Sequence, residues 1–312
     1  MFMSEQVDNE RSDADRGMTA LERAAECSER GVTDRPVVLA QAGDLASLSS
    51  GDIRPVLDRV MMGAYPDLGL DSLLATGVLD VLLPEVQAMV GFGDGEWRHK
   101  DVWKHTKQVV SQATAQLEVR WAALFHDIGK VRTRSISPSG EVHFFGHAEV
   151  GARMFDKMER RRSLFRADEA LSSEIRFLVL HHLRASQYDG SWTDSAVRRF
   201  ARDMGPHLED LMCLSRADIT TKRPEKKRRG IAMIDELAGR ITALAAEDAK
   251  QPPLPTGVGT AIMEAFGLAP SRKLGDLKRA LEAAVDAGEV APHQESAYYV
   301  QYLAENAERF GL

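Results

Sequence analysis

Residues 120–130, RWAALFHDIGK, decide how this chain is read. The apolar run before His126 belongs to a helix expected over 120–127, and Gly129 marks where that helix loosens. His126 and Asp127 stand at the loosening point. On a continuous helix two neighbouring side chains splay about 100° apart, whereas at a helix end both can turn inward to one ion. An imidazole nitrogen beside a carboxylate oxygen supplies the donor types that metal sites for phosphate chemistry use, with the carboxylate able to bridge two ions.

The other donors must come from other helices. His105 lies in KDVWKHTKQVV, at the edge of a face carrying Val102, Val109 and Val110. His182 lies in IRFLVLHHLR, a largely apolar helix where an imidazole needs a partner. Asp218 lies in LSRADIT beside Leu214 and Ile219, and an unpaired buried carboxylate there would cost several kcal/mol. Taken singly each is weak, because a lone histidine on an apolar face is more often a satisfied core residue. Their order carries the inference: H, HD, H, H and D, with His147 as the third member, at successive gaps of 21, 20, 35 and 36 residues. Seven of the nine histidines fall between His99 and His182. His143 and His181 are spare; His181 and His182 point about 100° apart, so at most one of them faces the site. His207 and His293 read as surface residues.

Around this constellation the periodicity is helical. Helices are expected over about 101–117, 120–127, 147–160, 168–187, 193–204, 206–218 and 225–248, and no strand run competes with them. Pro138, Ser139 and Gly140 mark a turn, and Thr193 or Asp194 is a credible N-cap. Ile231, Ile234, Leu237, Ile241 and Leu244 form an apolar stripe that needs cover. QPPLPTG (251–257) breaks that helix, and about three shorter helices follow over 259–266, 274–287 and 294–308. Upstream, Ile53, Val56, Leu57, Val60 and Met61, then Leu70, Leu73, Leu74, Val78 and Leu79, recur at helical spacing. MVGFGDGEW (89–97) reads as a loop and a unit boundary. The first 44 residues, charged and weakly periodic, read as a flexible leader, with a short helix over 21–31 closed by Gly31. The expected organisation is therefore all-α: leader 1–44, a helical segment 45–95, a bundle 96–230 with the His/Asp constellation, and a connecting helix with a C-terminal helical region 231–312.

No apolar run in the 312 residues approaches the ~20 needed to span a bilayer, and the acidic start is no signal peptide, so a cytoplasmic protein is expected. Cys27 and Cys213 have no CxxC spacing and encode neither a disulfide framework nor a cysteine zinc site. The net charge of −7 is unevenly spread. Residues 95–230 hold 26 basic and 18 acidic side chains, while the flanking segments are acidic. A basic middle suits a phosphate-bearing substrate. Its densest part, TKRPEKKRRG (221–230), follows Asp218 closely and is a candidate RNA contact, although no RNP-like aromatic motif accompanies it.

The stretch HKDVWKHT…RWAALFHDIGK…HFFGHAEVGA…LVLHHLR…LSRADITT resembles the HD phosphohydrolase superfamily, in the version found in bacterial tRNA nucleotidyltransferases and poly(A)-polymerase-like proteins. GLDSLLATGVLDVLLPEV (69–86) looks like the helical neck before their HD domain. SWTDSAVRRFARDMGP (191–206) and residues 262–290 resemble later helices, so the likeness covers roughly residues 45 to 300. It implies an HD-domain helical bundle with one or two divalent ions, without choosing among Mn, Ni, Co, Fe and Mg. By resemblance His105, His126, Asp127 and Asp218 match primary metal ligands, and His147 and His182 match the holders of a second ion. Aligning on His-Leu-Arg favours His182 over His181. Lys130 and Thr133 match residues that meet substrate phosphate, with Arg132, Arg134 and Arg184 as further candidates; Val131 departs from the family's usual proline. The nucleotidyltransferase head, with its glycine-rich turn and paired aspartates, has no counterpart before residue 45, since Asp13-Ala14-Asp15 lacks both strand and turn. The implied activity is metal-dependent hydrolysis, with Asp127 and Lys130 catalytic, of a phosphomonoester or phosphodiester: a nucleotide, a 2′,3′-cyclic phosphate or an RNA end. A free nucleotide is not separated from an RNA end by sequence. The alternative is a non-catalytic RNA-binding remnant of a nucleotidyltransferase body.

Overall fold

The computed structural model describes residues 2–33, 40–93, 101–248 and 252–312. The boundary expected near residue 95, and residues 94–97 of the loop expected over 89–97, lie outside them. The chain divides into two compact units, Met1–Ile241 and Thr242–Leu312. The fold is all-α, as the 3.6-residue periodicity requires.

The first unit begins with α1 (Phe2–Arg30), followed by α2 (Ala42–Ala46), α3 (Ser50–Met62), α4 (Pro66–Ala75), α5 (Val78–Leu82) and α6 (Pro84–Gln87). α1 corrects the expectation of a flexible leader. Ala20, Leu21, Ala24, Ala25, Cys27 and Ser28 are all buried, and the helix packs on α3 and α4. Small residues make this face, so the backbones approach closely. A Cβ added at Gly63 would meet the Ser28 Oγ at 2.1 Å, and one at Gly69 the Ser28 Cβ at 2.7 Å. The Ser28 hydroxyl donates to the Val60 carbonyl at 2.6 Å, which satisfies it inside this contact. The expected closure by Gly31 is present, with φ at +69°. On α3 the five periodic residues Ile53, Val56, Leu57, Val60 and Met61 are all buried, and Ser49 with Asp52 forms a capping box at its start.

Next come α7 (Val102–Gln112), α8 (Leu117–Phe125) and α9 (Lys130–Thr133). A hairpin of two short strands follows, β1 (Ser135–Ile136) and β2 (Val142–His143), paired antiparallel with Ser135 opposite His143. No strand was expected there. Two-residue strands carry too little alternation to register, and only the turn at Pro138–Gly140 was legible. The unit continues through α10 (His147–Arg162), α11 (Glu169–His181), α12 (Asp194–Met204), α13 (Leu208–Ala217) and α14 (Pro224–Asp248), within which the division of units falls.

α8 is the central strut, in contact with α3, α7, α11 and α13. Residues 119–125 are buried without interruption, the pattern of a helix covered on all sides. Trp121 stacks on Phe125 at 5.8 Å and meets Phe165 edge-on at 5.1 Å, while Phe125 meets Phe155 at 5.3 Å. Aromatic pairs of this kind add about 0.5–1.5 kcal/mol each beyond area burial. Truncating Trp121 to alanine should cost about 3–5 kcal/mol. Arg120, 7% exposed, turns its Nη1 to the carbonyls of Met61 and Gly63 at 2.5 and 2.9 Å. A guanidinium thus caps the C-terminal carbonyls of α3, where the helix dipole favours a cation. On α14, Ile234 and Leu237 of the expected stripe are buried.

The second unit holds α15 (Val258–Phe266), α16 (Arg272–Asp286), α17 (Ser296–Glu305) and α18 (Ala307–Phe310). Val258, Ile262, Leu277, Leu281, Tyr299 and Leu303 lie in its core. The buried Tyr299 hydroxyl has the carbonyls of Pro253 and Ala291 within 2.9 Å, so its polar tip is satisfied.

Candidate metal centre

Helix α8 stops at Phe125, and residues 126–129 form a turn held by the Ile128 amide on the Phe125 carbonyl (3.2 Å) and the Lys130 amide on the Asp127 carbonyl (3.0 Å). Both His126 and Asp127 are 1% exposed, so both turn inward. Gly129 makes room for what they meet. A Cβ there would lie 2.0 Å from the His147 carbonyl oxygen and 2.7 Å from the Gly151 nitrogen. Only a glycine lets the start of α10 approach so closely.

His147 opens α10, His182 ends α11, His105 sits on α7 and Asp218 closes α13. Four helices therefore deliver donors to the turn after a fifth. His105 Nε2 lies 3.0 Å from Asp218 Oδ1, 3.3 Å from His126 Nε2 and 3.4 Å from Asp127 Oδ2. His126 Nε2 is 3.2 Å from the same Asp127 oxygen. On the other side His147 Nε2 is 3.5 Å from Asp127 Oδ1 and 3.2 Å from His182 Nε2. Two groups result, His105–His126–Asp127 and Asp127–His147–His182, each with donor atoms close enough to hold one ion. Asp127 belongs to both.

The orientation of the rings follows from the backbone. His126, His147 and His182 each place Nδ1 at 2.8 Å from a carbonyl three residues earlier, that of Ala123, Phe144 and Val179. A carbonyl only accepts, so Nδ1 carries the proton and Nε2 presents its lone pair inward. His105 is held from the Thr220 hydroxyl at 2.8 Å. Burial, together with the nearby His126, holds His182 down at about 4, and burial likewise lowers His147. Both rings are then neutral near pH 7, and their bare nitrogens face each other at hydrogen-bond distance with no proton to share. For His126 burial opposes the charge, but the Asp127 carboxylate overrides it and raises the pKa. Asp127, despite its burial, is held well below the carboxylate range by His126, Lys130 and His105. Asp218 is lowered too, by the His105 hydrogen bond and His126 acting against burial. Asp127 Oδ1 is buried without a hydrogen-bond partner. An orphaned carboxylate oxygen beside two facing imidazole lone pairs fits a divalent cation, and the nitrogen and oxygen donors suit a transition metal.

Of the expected substrate residues, Lys130 joins the cluster, with Nζ 2.6 Å from Asp127 Oδ2. Arg132 is exposed on α9, the Thr133 hydroxyl bonds back to the Gly129 carbonyl at 3.1 Å, and Arg184 pairs with Asp203 at 3.6 Å. His181 lies apart from His182, its ring 4.4 Å from Phe177. His207, read as surface, is partly buried and bonded to Glu174, whereas His293 is exposed. A cavity of about 540 Å³ is lined by Asp156, Glu159, Arg166 and Glu169 and includes none of the cluster residues. Thr220, Gly129 and the three carbonyls that fix the rings escaped the sequence reading. Only the glycine left a trace, as a loosening of the helix.

Residues 102–223 match the HD domain family. The chain is 32% identical to an A-adding tRNA nucleotidyltransferase of Deinococcus radiodurans over 85% of its own length and 61% of that protein. It is 31% identical to a CC-adding tRNA nucleotidyltransferase of Thermus thermophilus over 80% of this chain and 56% of the relative. A multifunctional CCA protein of Ectopseudomonas mendocina is 29% identical over 52% and 40%. The chain thus spans little more than half the length of the first two relatives. No helix among the described residues is long and apolar enough to cross a membrane. Residues 102–223 thus carry an HD domain, within a chain similar in sequence over most of its length to part of these tRNA nucleotidyltransferases.

Proposed function

We propose that this chain is a metal-dependent phosphohydrolase acting on a phosphomonoester or phosphodiester, in a nucleotide, a 2′,3′-cyclic phosphate or an RNA end. His105, His126, Asp127 and Asp218 would hold one divalent ion, and His147 and His182 a second that shares Asp127. The observation that carries this reading is the pair of imidazole couples, each with facing Nε2 atoms, on either side of a buried carboxylate with an orphaned oxygen. Divalent ions held there supply Lewis acidity toward phosphate oxygens and a lowered pKa for water. The protein's own part is positional. Asp127 orients the centre through both oxygens, and Lys130, whose Nζ is within reach of the same carboxylate, offsets phosphate charge. Arg132, exposed two residues further along α9, is a candidate for a second phosphate contact.

The relatives named as tRNA nucleotidyltransferases favour a tRNA end among these substrates. So does the basic stretch that follows Thr220: Lys222, Arg223, Lys226, Arg228 and Arg229 are exposed, as backbone-phosphate binding requires. All six donor positions hold competent residues, which argues against the non-catalytic alternative. The test is hydrolysis of phosphomonoester, phosphodiester and cyclic-phosphate substrates by purified protein, stripped with chelator and reloaded with Mn²⁺, Ni²⁺, Co²⁺, Fe²⁺ or Mg²⁺. Activity restored by at least one ion supports the reading; none on any substrate with any ion rejects it.

A further inference from the structure

Phe145 is the most exposed large hydrophobic side chain among the described residues, at 77%. Its ring stacks on the His143 imidazole, with centroids 4.9 Å apart and planes 13° from parallel. One face of the phenyl ring is covered by an imidazole and the rest is open to solvent. The stacked rings put His143 and Phe145 on one side of the chain at the end of β2, while Phe144 turns to Phe92. The Phe144 ring lies 6.4 Å from Phe92 and 5.7 Å from Lys130 Nζ. Among the described residues no ring other than that of His143 stacks on Phe145.

The location ties this ring to the metal centre. Gly146, in the left-handed region at φ +70°, separates Phe145 from His147. Two steps along the backbone keep their Cα atoms within ~7 Å. The carbonyl of Phe144, the residue before Phe145, fixes the His147 ring, so the hairpin end cannot move without moving a donor. Exposed Arg132 precedes the hairpin, within a segment of 26 basic and 18 acidic side chains.

We infer that the stacked pair Phe145–His143 is a nucleobase platform, on which a base of single-stranded RNA lies while a neighbouring phosphate occupies the His/Asp cluster. This rests on the phosphohydrolase reading and sharpens it, because a platform beside the cluster serves a strand longer than one nucleotide. A flat aromatic face accepts any base, and the surrounding positive charge suits a polyanion. A protein partner fits less well, since one ring on a polar imidazole is a small patch compared with the several hundred Å² of a docking face.

The experiment is fluorescence anisotropy with a labelled oligoadenylate octamer in EDTA at low salt, where no hydrolysis intrudes. The expected result is affinity on the order of tenfold weaker in Phe145→Leu, which keeps apolar bulk but loses the π-face, and near wild type in Phe145→Trp. Equal affinity in wild type and Phe145→Leu, a loss of the same size in Phe145→Trp, or no octamer binding by wild type would each overturn the inference. Equal affinity would leave the exposed ring to a protein partner. Hydrolysis by the same wild type, transferred out of EDTA and reloaded with divalent ions, separates the two claims. A wild type inactive with every ion but showing the Leu–Trp contrast sinks hydrolysis and leaves the platform.

Discussion

His147 and His182 face each other through their Nε2 atoms at 3.2 Å, each ring held from behind by a carbonyl three residues earlier in the chain. Neither ring can turn away without breaking that bond, and burial keeps both neutral. The pair therefore presents two fixed, unprotonated nitrogens to one point, as a divalent cation would require. Replacing His182 with leucine removes one of the two facing lone pairs and keeps most of the volume. The variant should lose one metal equivalent by elemental analysis and should not melt below the metal-free wild type. Added ion at a hundred times its Kd should stabilise wild type by about 2.7 kcal/mol per site, and the variant by one site less.

Gly129 should tolerate no side chain. An alanine Cβ at 2.0 Å from the His147 carbonyl oxygen would push α10 away from the turn. Gly129→Ala should cost about 1–3 kcal/mol or more in urea denaturation, and it should weaken metal binding by displacing His147. Unchanged stability and metal content would show that α10 can give way.

Lys130 shares Asp127 Oδ2 with the first metal group. Removing its charge in Lys130→Met should tighten metal binding, because a competing cation leaves the carboxylate. Turnover should nevertheless fall about 10²-fold, since the phosphate loses a positive partner. Metal titration and steady-state kinetics on one sample separate the two effects.

Asp210 supplies a pH test away from the centre. Burial, then the carboxylates of Glu118, Glu174 and Glu209, push its carboxyl up to about 6 from an ordinary 3.8, against the pull of His207. A raised carboxyl contributes its full stability below 3.8, where folded and unfolded chains both keep the proton. That contribution is lost as the pH rises through about 6. Asp210→Asn should therefore melt above wild type at pH 8 and level with it at pH 4. The reverse order would show that the charge is welcome at the start of α13.

The candidate cluster was legible because metal ligation calls for particular residue types, and the chain offers His105, His126, Asp127, His147, His182 and Asp218 in turn. Apolar helices were legible too, α3 from the three-four spacing of Ile53, Val56, Leu57, Val60 and Met61 and α8 from its apolar run. α1 was not. Apart from Leu21 its buried face is alanine, serine and cysteine opposite glycines, and small residues give little hydrophobic contrast even where helices pack most closely. The supports of the centre were also hidden. Thr220 and the carbonyls of Ala123, Phe144 and Val179 act through backbone geometry that no periodicity announces.

The most direct test of the central claim is the metal stoichiometry of protein dialysed against a divalent transition metal, wild type beside Asp127→Ala. A shared carboxylate predicts two ions per chain in wild type and less than one in the variant, because both groups lose an oxygen donor at once. Equal metal content in the two proteins, or none in either, would contradict it.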